Sequence, residues 1–207
     1  MPQFKEPYNI IICGVGGQGN ILASSLVSLA ATVAGCRVVV GETYGASQRG
    51  GSVMSHVRVS RVREYGPLIP LGRVDLIVGF EPLETLRVAR QYANCDTVII
   101  VNTTPVYPVS VVFNEASYPE VDNIMKALQN IADAVYSVDA VKLAREAGEP
   151  RAQNIVMINA LSVCPGMPIK RSHFEEALFE FLKSNDREFR ENNRRAFELP
   201  VSLQPLS

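Results

Sequence analysis

Two glycine-rich segments hold most of the residues in this chain whose type and spacing could serve chemistry. The first is Gly14-Val15-Gly16-Gly17-Gln18-Gly19, which matches the pattern G-x-G-x-x-G. Glycines at this spacing let a backbone or a phosphate approach closely, while amides and the positive end of a helix dipole face the anion. The pattern predicts either a phosphate or dinucleotide site or a tight turn that packs a strand on a helix, and both remain open. For a dinucleotide, Glu42 is the candidate acid for the ribose hydroxyls.

The second segment, residues 42–51, combines three glycines with an arginine and several amide and hydroxyl groups. It follows a predicted strand, and ligands of open α/β sheets lie at the carboxyl ends of strands, so the two segments should meet in one crevice. Arg49 could bind a carboxylate or phosphate through its planar guanidinium, or form a surface ion pair with Glu42 or Glu81. The candidate site residues here are Glu42, Tyr44, Ser47, Gln48, Arg49, Gly50 and Gly51.

The cysteines and histidines do not support a metal site or a covalent nucleophile in this chain. Zinc and iron–sulfur sites need closely spaced thiolates, whereas these cysteines are far apart. They are Cys13, Cys36, Cys95 and Cys164. His56 and His173 have no cysteine or acid at ligand spacing, so we expect structural or surface roles for them. We predict that the chain binds no metal and that its thiols are reduced and mostly buried.

Composition indicates a soluble globular protein of one domain, or of one domain with an appendage. The chain has 207 residues, of which 47% are hydrophobic and 20% charged, enough for a substantial core. A formal net charge of -1 provides no field to attract a phosphate backbone, so nucleic acid is not an expected partner. No stretch could span a bilayer, and residues 1–9 lack the apolar core of a secretory signal. We therefore expect a cytoplasmic protein without membrane association.

Alternating strand and helix patterns predict the α/β fold that positions both glycine segments. Residues 9–13 are an apolar β-branched run, apolar residues then recur at helical spacing as far as Gly35, and residues 37–40 are a second run. This βαβ unit predicts two parallel, buried strands. Further strands are predicted at 52–60, 74–79, 98–101 and 134–138. Helices are predicted at 82–92 and 119–132, because each of these segments begins at a proline, and a third helix should end at Gly148. The expected architecture is a Rossmann-like, open, mostly parallel sheet with helices on both faces.

The last third of the chain is predicted to be helical. Residues 154–163 are apolar almost all round, which indicates a helix buried in the core or under another subunit. Ser172 and Glu175 have the spacing of a capping box, and they precede an amphipathic stripe that includes Phe174 and Phe181. The mixed-charge segment after it has few apolar anchors. We expect residues 184–207 to form a helical C-terminal arm that follows a domain of residues 1–183.

Four blocks in order resemble the gamma-type subunits of 2-oxoacid:ferredoxin oxidoreductases, most closely the beta subunit of the indolepyruvate type. The likeness spans residues 8–183, and its blocks are Gly14–Gly19, Tyr44–Val53, Asp75–Arg87, and Asn154 with Asn159–Leu161. Ser47-Gln48-Arg49-Gly50-Gly51, together with Glu81-Pro82-Leu83-Glu84, resembles the arylpyruvate branch. One departure is Asn159, where the family pattern has a glycine.

The resemblance implies chemistry that is shared between subunits. Such enzymes decarboxylate a 2-oxoacid oxidatively to an acyl-CoA and CO2, with thiamine diphosphate and Mg at the reacting carbon and [4Fe-4S] clusters that pass electrons to ferredoxin. In the indolepyruvate type these cofactors belong to a large alpha subunit, and a heterotetramer of two alpha and two beta chains is expected. Residues 1–183 would then be a gamma-type catalytic domain that binds no cofactor alone. Its segments 16–19 and 42–51 would face the partner, the cofactor or the incoming coenzyme A.

Two other functions fit parts of the sequence. A stand-alone NAD(P)-dependent dehydrogenase would use the same βαβ unit and would be active without a partner. A non-catalytic subunit would only stabilise a complex, so substitutions in its loops would affect assembly and not turnover per complex. The preferred 2-oxoacid cannot be read from the sequence.

Overall fold

A computed structural model describes residues 5–44, 51–107, 111, 113, 117–183 and 186–206 of the chain. Its six-stranded sheet has the order β2-β3-β1-β4-β5-β6. The strands are β1 Tyr8–Val15, β2 Arg37–Tyr44, β3 Ser52–Ser60, β4 Leu76–Gly79, β5 Val98–Asn102 and β6 Ala134–Val138. The helices in the described residues are α1 Asn20–Val33, α2 Pro82–Tyr92, α3 Val121–Gln129, α4 Ala140–Glu146, α5 Gln153–Ser162, α6 Arg171–Leu182 and α7 Arg187–Glu198. The predicted α/β class, with a mostly parallel sheet, is confirmed.

Strands β1, β4, β5 and β6 are parallel, and their carboxyl ends meet at one edge of the sheet. They form because their side chains are apolar and buried on both faces of the sheet. Helices α2 and α3 pack on one face, over Ile11, Ile77 and Ile99. Helices α1, α5 and α6 lie on the other face, where Ile10 and Leu26 belong to the larger core. This arrangement brings the turns that follow β1, β4 and β5 together.

The predicted pair of buried, parallel strands is only half right. Strand β2 runs in the same direction as β1, but β3 lies between them and is antiparallel to both. β2 is therefore an edge strand of the sheet, and Val40 is 38% exposed. β2 pairs with the next strand of the chain, β3, from Arg37 opposite Ser60 to Tyr44 opposite Val53. The sequence pattern missed this because an apolar run does not specify which strand lies beside it.

Two predicted helix starts need correction. Helix α3 begins at Val121, so Pro119 precedes the helix, whereas Pro82 does occupy the first turn of α2. Helix α6 begins at Arg171, with Lys170 in the cap position and no side-chain cap hydrogen bond. Ser172 therefore lies inside the helix, and Glu175 pairs with Arg171 at 3.2 Å. The predicted capping box is wrong because the chain enters the helix earlier than the Ser–Glu spacing indicates.

The C-terminal segment packs on the body of the fold. Helix α7 lies against α5, and its Ala196 and Phe197 are buried. Asn159 Nδ2 donates to the Leu199 carbonyl at 2.8 Å, so this buried polar side chain binds the C-terminal segment. In the amphipathic stripe of α6, Phe174 is buried as predicted, but Phe181 is 37% exposed.

None of the helices in the described ranges is long and apolar enough to cross a membrane. The domain boundary at residue 183 stays a prediction.

Candidate functional site

The first glycine segment forms the turn from β1 into α1, at the edge where the parallel strands end. Gly19 caps α1 in the left-handed region, with φ of 86°. Gly17 also has a positive φ, of 100°. Side chains other than glycine adopt this conformation at a cost of about 1–2 kcal/mol, so both positions favour glycine. The predicted strand, glycine turn and helix are thus present where the pattern placed them.

Gln18 fills the interior of this turn. Its Oε1 accepts from the Val15 amide at 2.7 Å, and its Nε2 donates to the Phe80 carbonyl at 3.0 Å. Asn102 Nδ2 donates to the same carbonyl at 3.1 Å. The ends of β1, β4 and β5 are therefore held together by side-chain amides that belong to the chain itself.

Close packing explains two glycines of the G-x-G-x-x-G pattern without a ligand. A methyl group on Gly14 would lie 2.6 Å from Gln18 Oε1 and 2.9 Å from Phe80 Cβ. On Gly19 it would lie 2.5 Å from Asn154 Nδ2. None of the described residues lies within 4 Å of a methyl group placed on Gly17. The geometry thus assigns packing roles to Gly14 and Gly19 and none to Gly17.

The two glycine segments meet, as the sequence analysis expected. The Gly16 amide donates to the Gly51 carbonyl at 2.9 Å. Glu42 lies on β2, and its Oε1 is 3.5 Å from Ser24 Oγ of helix α1. For Tyr44 only the backbone is described, in β2. Ser47, Gln48, Arg49 and Gly50 lie outside the described residues, so their predicted roles stay predictions.

Glu81, which the sequence suggested as an ion-pair partner for Arg49 and as part of a family motif, is the buried cap of helix α2. Its Oε2 accepts from the Glu84 amide at 2.8 Å, and its Oε1 accepts from the Tyr118 hydroxyl and from the Val106 amide at 3.4 Å. Burial, and then the hydrogen bond to Glu81, raise the pKa of Tyr118. Pro82 is the sequence signal for the start of this helix, but glutamate is not among the residues preferred at the cap, so the role of Glu81 could not be read from the sequence.

Glu84, in the first turn of the same helix, is a second buried carboxylate, which the sequence analysis placed in a family motif but did not select as a site residue. Its Oε1 pairs with Arg87, whose side chain is 57% exposed. Its Oε2 has no hydrogen-bond partner in the described part of the chain. Burial, followed by the charge of Glu84, raises the pKa of the Cys13 thiol. Cys13 is therefore held as an unreactive thiol beneath α2.

Comparison with known proteins identifies the family of this chain. The family model described as pyruvate ferredoxin/flavodoxin oxidoreductase matches residues 9–202. The chain belongs to this family. The resemblance to the gamma-type subunits is thereby confirmed.

A curated relative is the indolepyruvate oxidoreductase subunit IorB of Archaeoglobus fulgidus. It is 43% identical over 176 residues, which are 85% of this chain and 86% of that protein. The expectation that this chain is a subunit of a 2-oxoacid oxidoreductase is confirmed. It is the small subunit of such an enzyme.

Solved structures of the same kind share the fold. The gamma subunit of a keto/oxoacid ferredoxin oxidoreductase from Geobacter sulfurreducens has a TM-score of 0.63 at 23% identity, over 92% of this chain and 94% of that one. A 2-oxoglutarate:ferredoxin oxidoreductase from Magnetococcus marinus, with 2-oxoglutarate, coenzyme A and succinyl-CoA bound, has a TM-score of 0.71 at 21% identity. The match covers 94% of this chain and 30% of that longer one.

The cysteines of this subunit are free thiols, most of them buried, and His56 is a buried side chain of the sheet. Cys13, Cys36 and Cys164 are buried, Cys95 is exposed, and all four are free. Burial raises the pKa of Cys164 to about 12. His56 is buried, with Nδ1 accepting from the Ile69 amide at 3.3 Å, and burial followed by the charge of Arg58 lowers its pKa. Within the residues that the structure describes, no three side chains of histidine, cysteine, aspartate or glutamate are grouped to hold a metal ion.

Proposed function

We propose that this chain is the small subunit of an indolepyruvate-type, arylpyruvate-using 2-oxoacid:ferredoxin oxidoreductase. The enzyme would convert the 2-oxoacid and coenzyme A to an acyl-CoA and CO2 and reduce ferredoxin. The observation that carries the proposal is the 43% identity to an indolepyruvate oxidoreductase subunit over 85% of this chain. The Ser47-Gln48-Arg49-Gly50-Gly51 sequence supports the arylpyruvate branch.

The redox groups would belong to a large alpha subunit. Thiamine diphosphate with Mg would supply the decarboxylation chemistry there, and [4Fe-4S] clusters would carry electrons to ferredoxin. The described residues of this chain do not fit a cluster, since they contain no group of three ligands and their cysteines are isolated. A cytoplasmic complex of two large and two small subunits is the assembly that we propose.

In this complex the small subunit would form one wall of the active-site region. The proposed wall comprises Gly16, Gly17, Gln18 and Gly19 with Glu42, Tyr44, Ser47, Gln48, Arg49, Gly50 and Gly51. The contact between the Gly16 amide and the Gly51 carbonyl supports it, because it brings the two segments to one place. Arg49 would offer a bidentate cation to a carboxylate of the partner or a phosphate of coenzyme A.

The position of β3 disfavours the stand-alone dehydrogenase. A dinucleotide site places an acid at the end of the second strand of a βαβ unit, beside the first strand. Here β3 separates β2 from β1, and Glu42 contacts Ser24 of α1. The chain alone should therefore reduce no 2-oxoacid with NADH.

Arg49→Ala in the co-expressed complex tests the proposed wall. We expect normal assembly with at least tenfold lower kcat/KM for coenzyme A or the arylpyruvate, because a charge-assisted bidentate contact contributes about 1.5–3 kcal/mol. The measurement is dye reduction with arylpyruvate and coenzyme A. Arg145→Ala, at an exposed arginine of α4, is the matched control and should behave as wild type.

Three results would count against the proposal. Wild-type turnover of the Arg49 variant would remove Arg49 from the wall. Loss of assembly with unchanged turnover per complex would support a purely structural subunit. Activity of the isolated small subunit with NAD(P) would replace the complex with a dehydrogenase.

A further inference from the structure

The two edges of the sheet differ in what covers them. At the β6 edge, the C-terminal segment adds backbone contacts: Tyr136 forms an antiparallel bridge with Pro205, and the Leu206 amide donates to the Val135 carbonyl at 2.9 Å. At the other edge, the described part of the chain supplies no such segment, and β2 pairs with β3 alone. We refer to the outer side of Arg37–Tyr44 as the β2 edge.

The β2 edge presents backbone groups that can pair with one more strand. Alternate amides and carbonyls of an edge strand point away from the sheet. Along residues 37–41, these outward groups have no backbone partner within the described ranges. The pairing with β3 is continuous from Arg37 to Tyr44, so no bulge bends β2 away from an incoming strand. The edge is therefore long and regular enough to extend the sheet.

The sequence of β2 lacks the features that usually keep an exposed edge from pairing. Its centre is Val38-Val39-Val40, and it contains no lysine or proline. Consecutive β-branched residues favour strand pairing. Within a soluble protein, such an edge is typical of an interaction site.

Exposed apolar side chains flank the β2 edge on both faces of the sheet. On the face that carries α1, Val40 is exposed and Ile21 of that helix is 50% exposed. On the other face, a methyl group on Gly41 would lie 2.9 Å from the Pro67 carbonyl oxygen, and the following Leu68 is 56% exposed. A strand added at this edge would therefore bury apolar surface as well as forming backbone hydrogen bonds.

A second copy of this chain matches the β2 edge poorly. In a symmetric antiparallel pair of β2 strands, opposite residues share a sheet face, so their numbers are both odd or both even. Arg37 and Glu42 can therefore never lie opposite each other. The two longest symmetric registers are centred on Val40 and Gly41, and they place Glu42 opposite Val38 or Val40. Neither register pairs opposite charges across the strands.

The position of the β2 edge favours the large subunit as its partner. Glu42 and Tyr44 lie on β2 itself, and both belong to the proposed active-site wall. The chain then continues directly into residues 45–51, which hold the rest of the second glycine segment. A large subunit that faces the wall therefore also reaches the edge of the strand that carries it.

We propose that the β2 edge pairs with an extended strand of the large subunit, which adds a further strand to the six of this sheet. This inference rests on the proposed function, which supplies the large subunit. Backbone hydrogen bonds set the register of the added strand, and its apolar side chains pack beside Val40 on one face and Leu68 on the other. The pairing holds the proposed wall against the large subunit.

Amide hydrogen exchange tests the pairing directly. The outward amides of residues 37–41 should exchange at least about tenfold more slowly in the complex than in the isolated small subunit, because a ladder hydrogen bond protects them only when the added strand is present. Mass spectrometry of peptides that cover β2 measures the difference. Peptides that cover β6 are the internal control, since the C-terminal segment already covers that edge in the single chain.

Val40→Lys tests the same edge by substitution. Lysine is a residue that natural edge strands use against pairing. We expect about tenfold weaker assembly in a titration with purified large subunit, because an apolar contact is lost and an unpaired ammonium group comes to lie in the interface. The isolated variant should unfold in urea much as wild type does, since Val40 is exposed.

Leu71→Lys is the matched control. Leu71 is 68% exposed, and its neighbour Gly72 donates to the Gln91 carbonyl of α2, away from β2. The substitution has the same chemistry as Val40→Lys but lies outside the proposed contact. It should assemble as wild type does.

The possible outcomes are distinguishable. If the wild-type subunits form no active complex, the proposed function fails. If they form an active complex in which β2 exchanges as fast as in the isolated subunit, the strand pairing is wrong, even if Val40→Lys weakens assembly through side-chain contacts. Normal assembly of Val40→Lys would also contradict it. Protection of β2 in the isolated subunit that rises with concentration, together with a dimer in sedimentation, would assign the edge to a second copy instead.

Discussion

The glycine turn of residues 14–19 and the buried carboxylates Glu81 and Glu84 of α2 differ in how their polar groups are satisfied. In the turn, Gln18 and Asn102 bind the Val15 amide and the Phe80 carbonyl, so the predicted phosphate cradle is partly filled from within. On α2, the buried Oε2 of Glu84 has no donor among the described residues. The comparison teaches that a recognised glycine motif can be used for packing, while the unsatisfied atom lies outside both glycine segments.

The largest effect is expected for Gly14→Ala. Its methyl group would lie 2.9 Å from Phe80 Cβ and 2.6 Å from Gln18 Oε1, so the turn must open. We expect a loss of about 3 kcal/mol in the free energy of unfolding, at the upper end for overpacking. Urea unfolding of the isolated subunit measures it.

The control for this prediction is Gly66→Ala. A methyl group on Gly66 would have no neighbour within 4 Å among the described residues, and the φ of Gly66 is not in the left-handed region. It should change stability by less than about 0.5 kcal/mol. If Gly14→Ala were equally stable but lost binding of coenzyme A in the complex, Gly14 would serve a ligand and the contrast would disappear.

A smaller effect is expected for Gln18→Ala. The substitution leaves the Val15 amide without its acceptor, while the Phe80 carbonyl keeps Asn102. We expect a loss of about 2 kcal/mol in unfolding free energy, since one buried donor loses its partner. Gln91→Ala, at an exposed glutamine, should be near neutral in the isolated subunit. Equal stability of both variants would mean that Gln18 does not hold the turn.

The smallest effect concerns the pH dependence of stability and the buried His56 of β3. His56 packs edge-on to Tyr92, with ring centroids 5.4 Å apart, and burial lowers its pKa in the folded state. As the pH falls, the unfolded chain therefore binds a proton at His56 before the folded chain does. The contribution of the neutral His56 to the free energy of unfolding is complete above the ordinary histidine pKa of about 6.5, and it is lost as the pH falls through the lower pKa of the folded state.

Replacing His56 should reduce this pH dependence. We expect the unfolding free energy of His56→Gln to fall less between pH 7.5 and 5.5 than that of wild type, by up to about 1 kcal/mol. Urea unfolding at a series of pH values measures the difference, with pH 7.5–8.5 as the control range where the curves should be parallel. Identical curves down to pH 5.5 would contradict a neutral buried His56.

Several features of the fold could be predicted from local patterns. The predicted helix at 82–92 and strand at 134–138 agree with the structure because Pro82 opens the first and an apolar β-branched run defines the second. The left-handed Gly148 lies after α4 as expected. The strand beside β1 could not be predicted, since β3 inserts between β1 and β2 through pairing of residues that are distant in sequence.

Some features of the candidate site could likewise be predicted from the sequence, whereas others are visible only in the structure. The sequence by itself determined the strand, glycine turn and helix around Gly14–Gly19, because glycine conformation and apolar periodicity act over a few residues. It also determined the family through blocks of residues in order. Only the tertiary structure decided that Gln18 fills the turn and that Gly16 meets Gly51. It alone separated the satisfied Glu81 from the unsatisfied Glu84, because a buried carboxylate depends on donors that the fold brings from other elements.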